Sequence, residues 1–171
     1  VLNAIKVGFR EARAEAELVT MADGSDDPRA IMPMYVKLLE GYDIVCASRY
    51  IPGGSQVGGP FVKSLLSRLA GLSLHWLTGI PTHDITNNFR LYRRHLLKSI
   101  TIESTGGFEV AMEITVKAYC NGYKIAEVPA TWRDRREGES KFELRKWLPK
   151  YCFWYGVALR NAWLKRPKTN A

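Results

Sequence analysis

Cysteine is scarce in this sequence, with three in 171 residues. Cys46, Cys120 and Cys152 stand far apart, show no CxxC spacing and sit among apolar neighbours, which argues against a zinc site and for reduced core thiols of a cytosolic protein. Long apolar runs are missing as well. No stretch reaches the roughly eighteen residues that a membrane-spanning helix needs, so nothing here is expected to cross a bilayer unaided. Acidic residues are in deficit: Asp and Glu number 17 against 25 Lys and Arg, a net charge of +8 with a pI near 9.5. That excess points to an anionic partner, whether nucleic acid, a phosphorylated substrate or an acidic membrane surface. Nucleic acid is disfavoured, because the charge gathers in loops and the tail instead of an aromatic-interleaved sheet, and no nucleic-acid-binding motif is recognised. What remains is 46% hydrophobic and 25% charged residues, which fits one globular domain with a sizeable core.

The most informative stretch is Glu17 to Pro28. Leu18, Val19 and Met21 are apolar and Thr20 is β-branched, and the run stops at once in Asp23-Gly24-Ser25-Asp26-Asp27-Pro28. It reads as a short buried strand ending in an acidic turn. In open α/β sheets ligands gather outside the carboxyl ends of strands, where one or two carboxylates and substrate phosphates can hold Mg²⁺ or Mn²⁺. The plainer reading is a turn that caps a helix starting near Pro28, with Asp26 or Asp27 as N-cap. Both hold together if Asp27 caps and Asp23 and Ser25 face the metal.

Around this stretch helices and strands alternate. Val1 to Ala16 has helical spacing and begins as a helix already under way, so the sequence is expected to start inside a domain. Ile31 to Leu39 reads as a helix, Tyr42 to Ser48 as a second buried strand, and the alternation predicts an α/β sheet with parallel neighbours. Arg49 then sits at the same carboxyl edge as Asp23, ahead of the Gly53-Gly54 loop. Val62 to Leu77 is a long helix expected to bury Leu65, Leu66, Leu69, Leu72 and Leu77. Near its start, Lys63 and Ser67 share a face and suit a bound phosphate, although spacing alone fits a solvated lysine better. Asp84 to Leu91 leads into a short helix around His95 to Ile100. A helix from Val110 to Cys120 follows, capped at Asn121-Gly122, and then a strand from Ile125 to Pro129. Thr131 to Lys141 is read as a basic loop suited to phosphate. The tail, residues 146–171, sets Trp147, Trp154 and Trp163 in an apolar segment flanked by Lys and Arg. It reads as an amphipathic, membrane-interfacial helix, with a core helix packing back on the domain, or a lead-in to a membrane span, as the competing readings.

Taken together these segments resemble the inverting, family 2 glycosyltransferases that include dolichol-phosphate mannosyltransferase and related polyprenyl-phosphate sugar transferases. The likeness rests on Met21-Ala22-Asp23-Gly24-Ser25-Asp26-Asp27-Pro28, Ala47-Ser48-Arg49-Tyr50 with Gly53-Gly54, Asp84 with Thr86-Asn87-Asn88-Phe89-Arg90, Gly107-Phe108-Glu109, and Asp134-Arg135 with Gly138-Glu139-Ser140-Lys141. Met21 stands where many members have an aspartate, and Asn87-Asn88 replace the usual Ser-Gly. The resemblance implies a GT-A nucleotide-diphospho-sugar transferase fold, N-terminally incomplete, over residues 1–145, so the chain by itself is expected to bind the nucleotide poorly and to show little activity. It also implies Mg²⁺ or Mn²⁺ at Asp23 and Ser25, with catalytic roles for Asp23 and Arg135; Asp84, the third catalytic candidate, either orients the acceptor, serves as base for a hydroxyl acceptor or caps the following turn. Arg49, Lys63, Ser67, Ser140 and Lys141 fall where the family meets donor or lipid phosphate. The implied reaction moves mannose or glucose from a nucleotide-diphospho-sugar to a polyprenyl phosphate at the cytoplasmic face of a membrane. A saccharide or small-molecule hydroxyl acceptor is the alternative.

Overall fold

The structure is a computed structural model that describes residues 2–134 and 144–165. Four strands form the central sheet: β1 (Ala16–Val19), β2 (Ile44–Ser48), β4 (Arg90–Arg93) and β5 (Ile125–Pro129), in the order β1-β4-β2-β5. A parallel two-stranded ribbon, β3 (Ser55–Val57) with β6 (Thr131–Arg133), stands beside it. The helices are α1 (Leu2–Glu11), α2 (Ile31–Leu39), α3 (Phe61–Thr78), α4 (Arg94–Ser99), α5 (Val110–Cys120) and α6 (Leu144–Lys165).

Strand β2 is buried at every position and parallel to β5, as its unbroken apolar run Ile-Val-Cys-Ala predicts. The expectation of parallel neighbours throughout fails at β4, which runs antiparallel to both β1 and β2. β4 itself was not expected, because Arg90 breaks its apolar pattern. The Arg90 side chain is fully buried, and its guanidinium donates to the carbonyls of Asp84, Ile85, Asn87 and Ala111 and to the Thr115 hydroxyl. A charge so densely hydrogen-bonded behaves as core. β1 stops at Val19, short of Met21, because Thr20 and the Met21 N–H both donate to the Asp26 carboxylate at 3.1 and 3.0 Å.

Helix α5 is apolar almost all round and lies in the middle of the molecule, buried along Val110 to Val116. Helix α3 corrects the sequence reading. Its buried positions are Gly71 and Leu74, whereas Leu65, Leu66, Leu69 and Leu77 are exposed and Leu72 is half-buried. Helix α6 packs back against α3 and α5, so that of its three tryptophans Trp147 and Trp154 are buried and Trp163 stands out in solvent. Cys46 is buried as expected, Cys120 is half-buried and Cys152 is exposed.

Candidate functional site

A pocket of about 520 Å³ opens beside the carboxyl ends of β1 and β2 and continues between α3 and α6. At its acidic end stand Asp23, Ser25 and Asp26. Ser25 is buried, and its hydroxyl and N–H donate to Asp23 Oδ1 at 2.6 and 3.1 Å. Asp26 is committed to the backbone turn. Burial pushes its carboxyl above the ordinary aspartate range; the Met21 and Thr20 hydrogen bonds oppose this and the Asp23 charge adds to it. Asp27 is the N-cap of a single 3-10 turn, Pro28–Ala30, its carboxylate accepting from Arg29 N–H at 3.0 Å. The capping reading therefore holds at Asp27, while Asp23 and Ser25 face the pocket.

The donor chemistry of this end suits a hard divalent cation: carboxylate and hydroxyl oxygen, with no thiol or imidazole. One carboxylate with a hydroxyl leaves most coordination positions to substrate phosphates and water. Accordingly, no cluster of three or more His, Cys, Asp or Glu ligands occurs among the described residues.

The middle of the pocket is built on Arg49, the residue after β2. Asp84, wholly buried, takes the Arg49 Nε on Oδ2 at 2.7 Å, Nη2 on Oδ1 at 2.8 Å and the Arg49 main-chain N–H on Oδ2 at 3.1 Å. The guanidinium also reaches Ser67 Oγ at 3.0 Å and Thr86 Oγ1 at 3.2 Å, and packs 4.8 Å from the Tyr50 ring. Burial alone would lower the pKa of Arg49, but the charge and hydrogen bonds of Asp84 outweigh it and the group is held above its ordinary value. Asp84 is thus the partner of Arg49. Both its oxygens are engaged by Arg49.

Lys63 and Ser67 line the same pocket on α3, so the structure brings together Asp23, Ser25, Arg49, Lys63 and Ser67. Ser67 is wired in, accepting from Tyr50 Oη at 2.9 Å and lying 2.5 Å from Thr86 Oγ1. Arg135, Ser140 and Lys141 lie outside the described residues. Sequence reasoning missed Gln56, whose side chain bridges Arg49, Tyr50 and Ser64 from β3, because a lone glutamine in an irregular loop carries no pattern. It also missed the far end of the pocket, where Leu66, Ala70, Met112, Leu148, Tyr151 and Tyr155 supply an apolar wall.

No protein-family model matches the chain. The α/β core with an acidic turn at a strand end is a GT-A glycosyltransferase fold. Glucosyl-3-phosphoglycerate synthase from Mycobacterium tuberculosis, solved with Mn²⁺, UDP-glucose and phosphoglyceric acid, matches it with a TM-score of 0.59 over 93% of this chain and 54% of that one, at 16% identity. The same enzyme with Mg²⁺ and UDP gives 0.57 over 93% and 53%, at 17% identity. Two curated relatives are closer in sequence. Polyprenol monophosphomannose synthase of Mycolicibacterium smegmatis is 35% identical over 132 residues, 75% of this chain and 50% of the relative. Undecaprenyl-phosphate mannosyltransferase of Micrococcus luteus is 38% identical over 141 residues, 78% and 57% respectively. The chain belongs to this family of polyprenyl-phosphate sugar transferases. It spans about half the length of these curated relatives.

Proposed function

We propose that the chain carries the acceptor-facing site of an inverting transferase. The enzyme moves a hexose, mannose before glucose given the two mannosyl-transferring relatives, from a nucleotide-diphospho-sugar to a polyprenyl phosphate. The observation that carries this reading is the continuity of one pocket from the carboxylate of Asp23, past Arg49, Lys63 and Ser67, to an apolar wall between α3 and α6. A cation, a phosphate and a hydrocarbon chain each find matching chemistry along it.

Asp23 and Ser25 would hold Mg²⁺ or Mn²⁺, which when bound would neutralise charge on the departing diphosphate. The remaining work falls to the chain's own side chains. Lys63 and Ser67 meet the acceptor phosphate at the start of α3, where the helix end itself favours anions. Arg49, locked by Asp84, presents a fixed donor surface to that phosphate instead of a mobile charge. The acceptor phosphate is already an anionic nucleophile. One of its oxygens forms the bond to the anomeric carbon as the bond to the diphosphate oxygen breaks, and no proton must be removed. The engagement of Asp84 with Arg49 agrees with a reaction that needs positioning and charge neutralisation more than a base. Arg135, Ser140 and Lys141 remain assigned to the phosphates by family resemblance.

No helix among the described residues is long and apolar enough to cross a membrane. The exposed apolar side chains of α3 and α6, with the flanking cations, support attachment at a membrane surface, and the cytoplasmic face is taken from the family resemblance. The test is transfer of labelled sugar from GDP-mannose or UDP-glucose to a short polyprenyl phosphate with Mn²⁺, by the complete enzyme and its Asp23→Ala variant. Labelled lipid from the first and none from the second is expected. Equal turnover by both would remove Asp23 from the mechanism, and transfer to a saccharide hydroxyl but not to the lipid phosphate would replace the acceptor.

A further inference from the structure

The Arg49–Asp84 pair is itself held from behind. Asp84 lies in the loop between α3 and β4, and that loop is gripped by Glu127 of β5. Glu127 Oε2 accepts from the His83 main-chain N–H at 2.9 Å and from the Thr82 hydroxyl at 3.2 Å, and Oε1 accepts from the His83 ring Nδ1. The Thr82 hydroxyl oxygen in turn accepts the Asp84 N–H at 3.2 Å. An unbroken hydrogen-bonded path therefore runs from Glu127 through Thr82 to the Asp84 backbone, and through its carboxylate to Arg49. Thr82 and Asp84 are wholly enclosed, and the Glu127 side chain is 12% exposed.

The strand pairing explains why this path can set position. β2 and β5 are parallel neighbours, with Cys46 opposite Glu127 and Ser48 opposite Pro129. Arg49 follows β2 directly, so the loop is pinned at two points on one rigid pair of strands: at His83 by Glu127 and at Asp84 by Arg49. Helix α3 closes the remaining side. A methyl group on Gly71 would lie 2.0 Å from the His83 carbonyl oxygen, and the His75 ring stacks on the His83 ring at 4.1 Å between centroids.

We propose that Glu127 and Thr82 are positioning residues for the pocket's Arg49. They act through Asp84, fixing the guanidinium where it can meet a phosphate-bearing substrate. Only the kinetic consequence rests on the transferase reading.

The experiment follows the Arg49 Nε–H by ¹⁵N NMR in the whole chain, comparing wild type with Thr82→Val, Glu127→Ala and Glu127→Gln. Thr82→Val keeps side-chain shape and removes only the relay hydroxyl. Exchange of the Arg49 Nε–H is expected to quicken about tenfold in Thr82→Val and Glu127→Ala, while backbone amides of β2 and β5 keep their protection. Glu127→Gln retains an oxygen for Thr82 and His83 and is expected to stay within about threefold of wild type. The proposal is overturned if Arg49 exchange does not change in Thr82→Val, or if it changes only in step with the β2 and β5 amides, the mark of a merely structural role. Should Glu127→Ala fail to fold, Thr82→Val decides alone. In a turnover assay Thr82→Val is expected to lower kcat about tenfold with donor KM unchanged. Absence of transfer by the complete wild-type enzyme would sink the transferase reading and leave the exchange result to judge the positioning.

Discussion

Arg49 and Asp84 illustrate what burial does to a charge. Separately each would be costly to enclose; together, with two side-chain hydrogen bonds between them and further bonds to Ser67 and Thr86, they are tolerated. Removing one partner leaves the other stranded. Asp84→Ala is therefore expected to lose about 3–5 kcal/mol of stability in urea unfolding. Glu17 is the opposite case. Its side chain is buried on β1, neither carboxylate oxygen has a hydrogen-bond partner among the described residues, and Arg94 Nε is 4.0 Å away. Burial raises its pKa against the weaker pulls of Arg94 and Lys98. A raised folded-state pKa means that the group favours folding when protonated, at low pH, and that this contribution is lost as pH rises through the folded value. Glu17→Gln should then be more stable than the parent at pH 7. The difference should vanish in melts taken below the ordinary glutamate range. A gain that persists in acid would mean that packing, not charge, is responsible.

At the level of elements, what could be read in the sequence depended on whether a segment's own pattern decided its environment. β2 is buried at every position and α5 is apolar almost all round, so both have to be central, and the acidic turn could be located from Asp27 and Pro28 alone. β4 escaped because Arg90 is core only by virtue of carbonyls supplied by a loop and a helix distant in sequence. α3 misled for another reason: a leucine stripe says that a face is apolar, not what covers it, and the face that packs inward here is set by Gly71 and Leu74. Asp23, Arg49, Lys63 and Ser67 could be named in sequence. The shared strand edge of Asp23 and Arg49 was legible too, but the approach of α3 to it and the engagement of Asp84 were not, since both depend on loops closing against β2. Gly71 tests this view of α3. With backbone 2.0 Å from its missing Cβ, Gly71→Ala must push the helix off the His83 carbonyl, and a loss of about 1–3 kcal/mol in thermal or urea unfolding is expected despite alanine's better helix propensity.

Across the whole molecule, the pocket, the apolar helix faces and the net charge of +8 combine into one expectation. Phe61, Val62, Leu65, Leu69, Trp76 and Leu77 are exposed along α3, Trp76 at 81%, and Phe153 and Trp163 are exposed on neighbouring α6. Scattered surface leucines need no explanation, but an apolar stripe with tryptophans beside a pocket wall made by the same two helices does. A membrane surface would bury these side chains at roughly 25 cal/mol per Å² of apolar area, and each nearby Lys or Arg would add about 1 kcal/mol against anionic headgroups. The chain should float with phosphatidylserine-containing vesicles at low salt and less well at high salt, where the charge contribution is screened. Replacing Leu65, Leu69 and Trp76 together by Ser removes side chains that are already in water. The folded state loses little, so the thermal midpoint is expected to hold while vesicle affinity falls at least about tenfold, the equivalent of about 1.4 kcal/mol. If the triple variant floats as well as the parent, the α3 face is not the contact. If instead its midpoint drops sharply, the same leucines are covered by protein in solution, and the lipid must be met elsewhere.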